Sequence, residues 1–305
     1  MNSKVLTGYL AAEGQLADML AEINRPPALL LGRLAIVEGQ AQPIAWAANT
    51  WHDVQQIPIA SIAEGARALR DIQRNWILYS EKLHRRASLI AERLPHVSAK
   101  PLRFPASPPT APLGSWTLLD AGTILAAARC SSPFPHGEVR FVEDRGGPPN
   151  RAYLKLWEAL TLAGRMPGPG NLCLDLGSSP GGWSWVLQKL GARVVSVDKA
   201  PLDPAIARLP NLDYRAVSAF ALSPSAIGPV DWLFSDIICY PARLLRLVET
   251  WLASGLVRNF VCTIKFQGKT DMQTAQRFLA IPGSRLTHLF HNKHELTWMR
   301  IQEQG

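Results

Sequence analysis

One stretch, Asn171 to Trp183 (NLCLDLGSSPGGW), constrains the fold more than any other. It opens as an apolar run, LCLDL, with the length and composition of a buried parallel strand. Asp175 stands near the end of that run, and the turn Gly177-Ser178-Ser179-Pro180-Gly181-Gly182 follows. The next segment, WSWVLQKLGA, has apolar residues at helical spacing (Trp183, Val186, Leu187, Leu190) and stops at Gly191. A second apolar run, Arg193 to Val197, ends on Asp198. Strand, glycine turn, helix, strand and acid make a βαβ unit suited to a nucleoside-bearing ligand. The glycines let backbone approach the ligand, and the second-strand acid accepts hydrogen bonds from ribose hydroxyls.

The turn also selects among ligands. A dinucleotide site would read G-x-G-x-x-G and a triphosphate site would end in G-K-S/T. Here Gly182 is followed by Trp183, so no lysine is present to hold phosphate charge. An acid at each strand end suits a neutral-to-cationic ligand with a ribose and an adenine. S-adenosylmethionine, with a sulfonium and an ammonium but no phosphate, fits; its product is S-adenosylhomocysteine. The residues expected around it are Asp175, Gly177, Ser178, Ser179, Pro180, Gly181, Gly182, Trp183 and Asp198. A bare strand–turn–helix with no ligand is the bland alternative, and two strand-end acids in register argue against it.

A chain of 305 residues with 47% hydrophobic content suggests two domains. Lys+Arg 32 against Asp+Glu 24 gives a net charge of +8, which favours a polyanionic partner such as RNA. The four cysteines (Cys130, Cys173, Cys239, Cys262) are scattered without a C-x-x-C pair, as in a reduced cytoplasmic protein. Acids at Glu13, Asp18 and Glu22, and Arg33 within the apolar stretch Ala28–Val37, argue against a signal peptide or a membrane span. A monomer is expected.

The first half reads as a mixed α+β module. Expected strands are Val5–Leu10, Leu29–Val37, Pro43–Ala48, Trp116–Asp120, Thr123–Arg129 and Glu138–Val142. Expected helices are Gln15–Ile23, Ile62–Ser80 and Leu83–Leu94. The proline-rich Pro101–Pro112 segment interrupts regular structure. Arg85, Arg86, Lys100 and Arg103 form a basic cluster in sequence, either an RNA contact or a solvated face. The loop Gly146-Gly147-Pro148-Pro149 sets the expected domain boundary, giving residues 1–148 and 149–305.

Beyond that loop, RAYLKLWE (Arg151 to Glu158) is helical. Val230–Phe234 is apolar and runs into Ser235-Asp236, and Phe260–Ile264 ends on Lys265. Ligands in open parallel sheets bind outside the carboxyl ends of strands, so Asp236 and Lys265 should sit together near the cofactor. Glu295 lies in a further expected strand, HELTWM.

These segments resemble the FtsJ-like RNA ribose 2'-O-methyltransferases, which share a helix R-x-x-x-K-L, the loop D-L-G-x-x-P-G-G-W, a strand-end Asp, a strand-end Lys before F-Q-G, and a late Glu. The matching segments are RAYLKL, DLGSSPGGW, SDI, TIKFQG and HELTW. The resemblance implies a Rossmann-like α/β S-adenosylmethionine-dependent domain with the catalytic tetrad Lys155, Asp236, Lys265 and Glu295, and no metal. Asp236 also lies near the cofactor methyl in this scheme. The resemblance is strongest to members that methylate a cytidine ribose of bacterial large-subunit ribosomal RNA and carry an N-terminal THUMP domain. A THUMP-like RNA-binding module is accordingly expected in the first half. The adenine-reading acid of the family is replaced by Ser218, and after Asp236 the chain reads Ile237-Ile238-Cys239-Tyr240.

The tetrad suits ribose methylation. The methyl donor already carries a good leaving group, so the enzyme has to align the 2'-hydroxyl and remove its proton. Lys265 is the expected base; a second ammonium nearby and partial burial would lower its proton affinity, and the two carboxylates would oppose that shift. His288, His291 and His294 lack a cysteine or acid partner set and are read as surface or RNA-facing residues, not metal ligands. Arg243, Arg246 and Arg258 are read either as an RNA channel or as a solvated face. Two alternatives compete with this reading: a ribose methyltransferase acting on transfer RNA or a cap, and a catalytically silent RNA-binding or ribosome-assembly factor. Base N-methylation is disfavoured, since IICY stands where a D/N-P-P-Y/F motif would be.

Overall fold

The computed structural model describes residues 5–302, and contacts divide the chain into two compact units. The first comprises residues up to Leu102 together with Pro108–Arg140; the second comprises Arg103–Ser107 and everything from Phe141.

The first unit contains, in chain order, β1 (Leu6–Ala11), α1 (Leu16–Ile23), β2 (Leu29–Leu31), β3 (Leu34–Glu38), β4 (Ala47–His52), β5 (Gln55–Pro58), α2 (Ile62–Ile72), β6 (Trp76–Leu78), α3 (His84–Ala91), β7 (Gly114–Asp120), β8 (Thr123–Ala127) and β9 (Arg129–Cys130). A five-stranded sheet has the order β2-β3-β1-β4-β9, and a four-stranded sheet the order β5-β8-β7-β6. All pairings are antiparallel except β6 with β7. α2 and α3 cover the smaller sheet through Ala66, Leu69, Ala87 and Ile90, packed with Trp76, Trp116 and Ile124.

Several sequence expectations for this half change. The run Leu29–Val37 is two strands, because the chain reverses at Gly32, whose φ of 53° suits glycine. Pro43–Ala48 is mostly turn, with the strand starting at Ala47. The helix expected to reach Ser80 ends at Ile72: Gln73 turns extended and Trp76 starts a strand beside Gly114. Trp76 Nε1 donates to the Leu69 and Gln73 carbonyls, so its indole closes the helix end. Glu138–Val142 forms no strand.

The second unit holds the α/β fold that the glycine turn predicts. Its elements are α4 (Tyr153–Ala163), β10 (Leu172–Leu176), α5 (Gly182–Lys189), β11 (Arg193–Val197), α6 (Pro204–Ala207), β12 (Leu212–Arg215), α7 (Pro224–Ile227), β13 (Val230–Ser235), α8 (Pro241–Ala253), β14 (Val257–Lys265), α9 (Met272–Leu279), β15 (Ser284–Thr287) and β16 (Glu295–Arg300). One seven-stranded sheet has the order β12-β11-β10-β13-β14-β16-β15, parallel from β12 to β14 and antiparallel across β16 and β15. The order reverses at β10, so β11 and β13 flank it and the loops after β10 and β13 open side by side. That is the crevice where ligands bind in such sheets. Trp232, Phe234, Phe260 and Trp298 fill the core, each burial worth roughly 1.5–3 kcal/mol or more. Among the described residues, no helix is long and apolar enough to cross a membrane.

Candidate functional site

The β10–α5 turn forms one wall of a cavity of about 520 Å³ within the second unit. Gly177 has φ 79°, and a Cβ there would lie 2.6 Å from Ile237 Cγ1, so the turn needs glycine both for its conformation and for its neighbour. Gly181 has φ 116° and faces Ile206 in the same way. Ser178 and Ser179 line the cavity, and the Ser178 hydroxyl oxygen is buried without a partner among the described residues. Asp198 anchors the loops: its Oδ2 accepts from Ser179 N at 3.1 Å and its Oδ1 from Ala200 N at 2.9 Å. Trp183 is buried, and its Nε1 donates to Ala152 O at 2.9 Å, bracing the turn against the start of α4.

The four charged residues expected from sequence converge, although 140 positions separate Lys155 from Glu295. α4 is buried along its length from Tyr153 to Thr161, so its Lys155 must be neutralised inside. Lys155 Nζ donates to both Asp236 oxygens, at 3.0 and 3.1 Å, and to Glu295 Oε1 at 2.9 Å. Burial works against its charge, but Asp236 and Glu295 outweigh that and hold its pKa above the ordinary lysine value. Lys265 and Glu295 are cross-strand partners on β14 and β16. Lys265 Nζ lies 3.2 Å from Asp236 Oδ1 and donates to the Asp236 carbonyl at 2.5 Å. Asp236 and Lys265 line the cavity, whereas Lys155 and Glu295 do not. The cluster therefore has a half-buried ammonium–carboxylate pair facing the cavity and a buried one behind it, with formal charges that cancel.

Residues 148–267 match the sequence profile of the FtsJ-like methyltransferases. The chain carries an FtsJ-like methyltransferase domain. It is 33% identical over 172 residues to the Ribosomal RNA large subunit methyltransferase M of Halorhodospira halophila, covering 54% of this chain and 50% of that protein. It is 34% identical over 186 residues to the protein of the same name from Alkalilimnicola ehrlichii, covering 57% and 51%. The chain thus spans about half the length of these curated relatives. Among solved structures, the Methanococcus jannaschii fibrillarin pre-rRNA processing protein aligns at 16% identity and TM-score 0.41 over 62% of this chain and 82% of that one, too distant to carry any argument.

Within the FtsJ-like domain the residues expected around the ligand divide into two sets. Gly177, Ser178, Ser179, Gly182, Trp183, Asp198, Ser218 and Asp236 line the cavity; Asp175, Pro180 and Gly181 do not. Asp175 is buried beneath the turn, where Ser184 Oγ donates to its Oδ2 at 2.6 Å; Ser184 Oγ in turn lies 2.5 Å from Ser196 Oγ. Burial, with Asp236 and Asp198 adding to it, pushes its pKa up to about 7. Ser218 Oγ accepts from Phe220 N and so caps a short turn at the cavity wall.

The three histidines have separate partners: His288 Nε2 meets Lys293 O, His291 Nδ1 meets Glu158 Oε2, and His294 Nε2 meets Thr270 Oγ1. His288 is buried, which corrects its reading as a surface residue. Arg258 pairs with Asp231, and Arg103 belongs to the second unit while Arg85, Arg86 and Lys100 belong to the first.

Sequence reasoning passed over Glu158, one turn beyond Lys155. It is 1% exposed, and it accepts from the backbone N–H groups of Phe290 and His291 at 2.8 and 3.0 Å. The helix that supplies Lys155 thereby also holds the loop leading into Glu295. A second charged residue, at i+3 from Lys155 on an otherwise mostly apolar helix, was the available signal. Asn150, Lys199, Phe220, Ile238 and Arg243 also line the cavity, brought there by loops whose path the sequence does not specify.

Proposed function

We propose that this chain methylates a ribose 2'-hydroxyl of RNA, using S-adenosylmethionine and taking a cytidine of bacterial large-subunit ribosomal RNA as its target. The observation that carries this reading is the tetrad, in which Asp236 and Lys265 alone of the four face the cavity. A silent binding protein has no use for a second charged pair buried behind the first.

The cavity suits the methyl donor: its volume lies in the range of small-ligand sites, Ser178 offers an unpartnered hydroxyl, and Asp198 has lone pairs left for ribose hydroxyls. Bound there, S-adenosylmethionine supplies a methyl group on a sulfonium that departs as a neutral thioether. Lys265 Nζ, as the free amine, takes the proton of the 2'-hydroxyl as that oxygen gains the methyl group. Asp236 orients Lys265 through the 3.2 Å contact, and Lys155 holds Asp236 in place. Glu295 balances Lys155, so the site does not bury a net charge. The first unit, a small α+β module, serves as the RNA-binding THUMP-like part, and the net charge of +8 suits that partner.

The test is transfer of labelled methyl from S-adenosylmethionine to ribosomal RNA taken from cells lacking this protein. Wild type should place alkali-resistant label at one large-subunit ribose, and Lys265→Ala should lower turnover by roughly 10²–10⁴-fold while binding cofactor normally. Full turnover by Lys265→Ala would remove the base from that lysine. No transfer by wild type to any ribosomal RNA would remove the proposed target.

A further inference from the structure

We propose that Ile238 and Tyr240, with Arg243, form the seat for the target nucleotide, and that this seat takes an unpaired nucleotide of single-stranded RNA. The inference rests on the ribose-methylation reading for its occupant, and on separate observations for its location. Ile238 is 79% exposed and Tyr240 67%, more than any other large apolar side chain of the second unit. Both follow within four residues of Asp236, and Ile238 lines the same cavity as Asp236 and Lys265.

Their exposure is built into a held loop. Asp236 N donates to Leu176 O, and Lys265 Nζ donates to Asp236 O. Ile237 packs over Gly177, and Cys239 between the two exposed residues is buried. At the far end Tyr240 O accepts from Arg243 N as α8 begins. Burying Cys239 turns Ile238 and Tyr240 outward beside the reacting groups. Exposed apolar surface at the mouth of a polar cavity marks a contact site.

The charge of the surroundings names the contact. Arg243 lies with its guanidinium 3.8 Å from the centroid of the Phe220 ring, held by an aromatic face and, among the described residues, by no carboxylate. Arg246, one turn along α8, is also exposed, and both arginines border a second hollow beyond Phe220. Glu249, the next charged residue on that helix, is taken by Arg277 at 3.2 Å. An aromatic and an aliphatic platform beside guanidinium groups that have no ion-pair partner among the described residues matches a base with its flanking phosphates. A base within an RNA duplex has no free face for such a platform, so the occupant is an unpaired nucleotide. In this arrangement Tyr240 and Ile238 stack the base, and Arg243 takes a phosphate.

The probes are a fluorescein-labelled single-stranded RNA of about fifteen nucleotides and the corresponding blunt duplex, each titrated into the full chain. Tyr240→Ala should weaken single-strand binding roughly ten-fold and Tyr240→Trp should retain it. Arg243→Gln should weaken it and lower the salt slope by about one. A single strand carrying 5-iodouridine should cross-link to Tyr240 under ultraviolet light. Circular dichroism and thermal unfolding of each variant confirm an intact second unit. Wild-type affinity in both Tyr240→Ala and Arg243→Gln, or an absent cross-link, overturns the seat. An equal loss of duplex binding overturns its restriction to unpaired RNA. If the seat binds RNA while wild type transfers no methyl, the seat stands and the ribose-methylation reading falls.

Discussion

At the scale of single residues, similar chemical groups have different tasks because of where they are held. Lys155 is enclosed by two carboxylates and lies off the cavity, so it organises; Lys265 reaches the cavity with Asp236 beside it, which is why the proposed base role is assigned to it. Lys155→Met would leave Glu295 buried without its partner, and should cost about 3–5 kcal/mol in urea unfolding. Asp175 makes a pH-dependent prediction. Its folded-state pKa of about 7 lies above its ordinary value of 3.8, so between those values the folded state binds more protons than the unfolded one. Stability from this group is therefore full at low pH and is lost as pH rises through that window. Asp175→Asn, which does not titrate, should gain on wild type progressively from about pH 4 to about pH 8 in urea unfolding measured at several pH values. A gap independent of pH would contradict the assignment.

At the scale of elements, the site depends on α4 holding two separate parts of the chain. Lys155 grips Asp236 after β13 and Glu295 on β16, while Glu158 grips the loop at Phe290 and His291. Removing the Glu158 carboxylate leaves two backbone donors and His291 without their acceptor. Glu158→Ala should therefore lower stability by about 2–4 kcal/mol. It should also reduce turnover more than cofactor affinity, because the loop positions Glu295 and does not line the cavity. Thermal unfolding with methyl-transfer kinetics checks both. The β10–α5–β11 unit was legible in the sequence because its turn, helix stop and strand-end acids are local signals. The end of α2 was not: the apolar spacing continues past Ile72, and pairing of Trp76 with the strand at Gly114 overrides it.

At the scale of the whole molecule, two units share 305 residues and an excess of eight positive charges. If phosphate contacts dominate the affinity, RNA binding should fall steeply with salt, by about 10³-fold or more from about 50 mM to about 200 mM for six or more contacts. Titrations at several salt concentrations test this, and a flat response would require a largely uncharged interface.

The sequence by itself determined the βαβ unit, the glycine turn and the strand-end positions of Asp236 and Lys265, because strand ends and turns are written in neighbouring residues. The tertiary structure decided which of the charges meet the cavity, that Asp175 lies under the turn, and that Glu158 ties down the loop before Glu295. It also decided that Ile238 and Tyr240 stand outward close to Asp236. The charge pairings of Lys155 and Glu158 depend on contacts between residues from 81 to 140 positions apart, and no local pattern encodes which buried charge will find which partner.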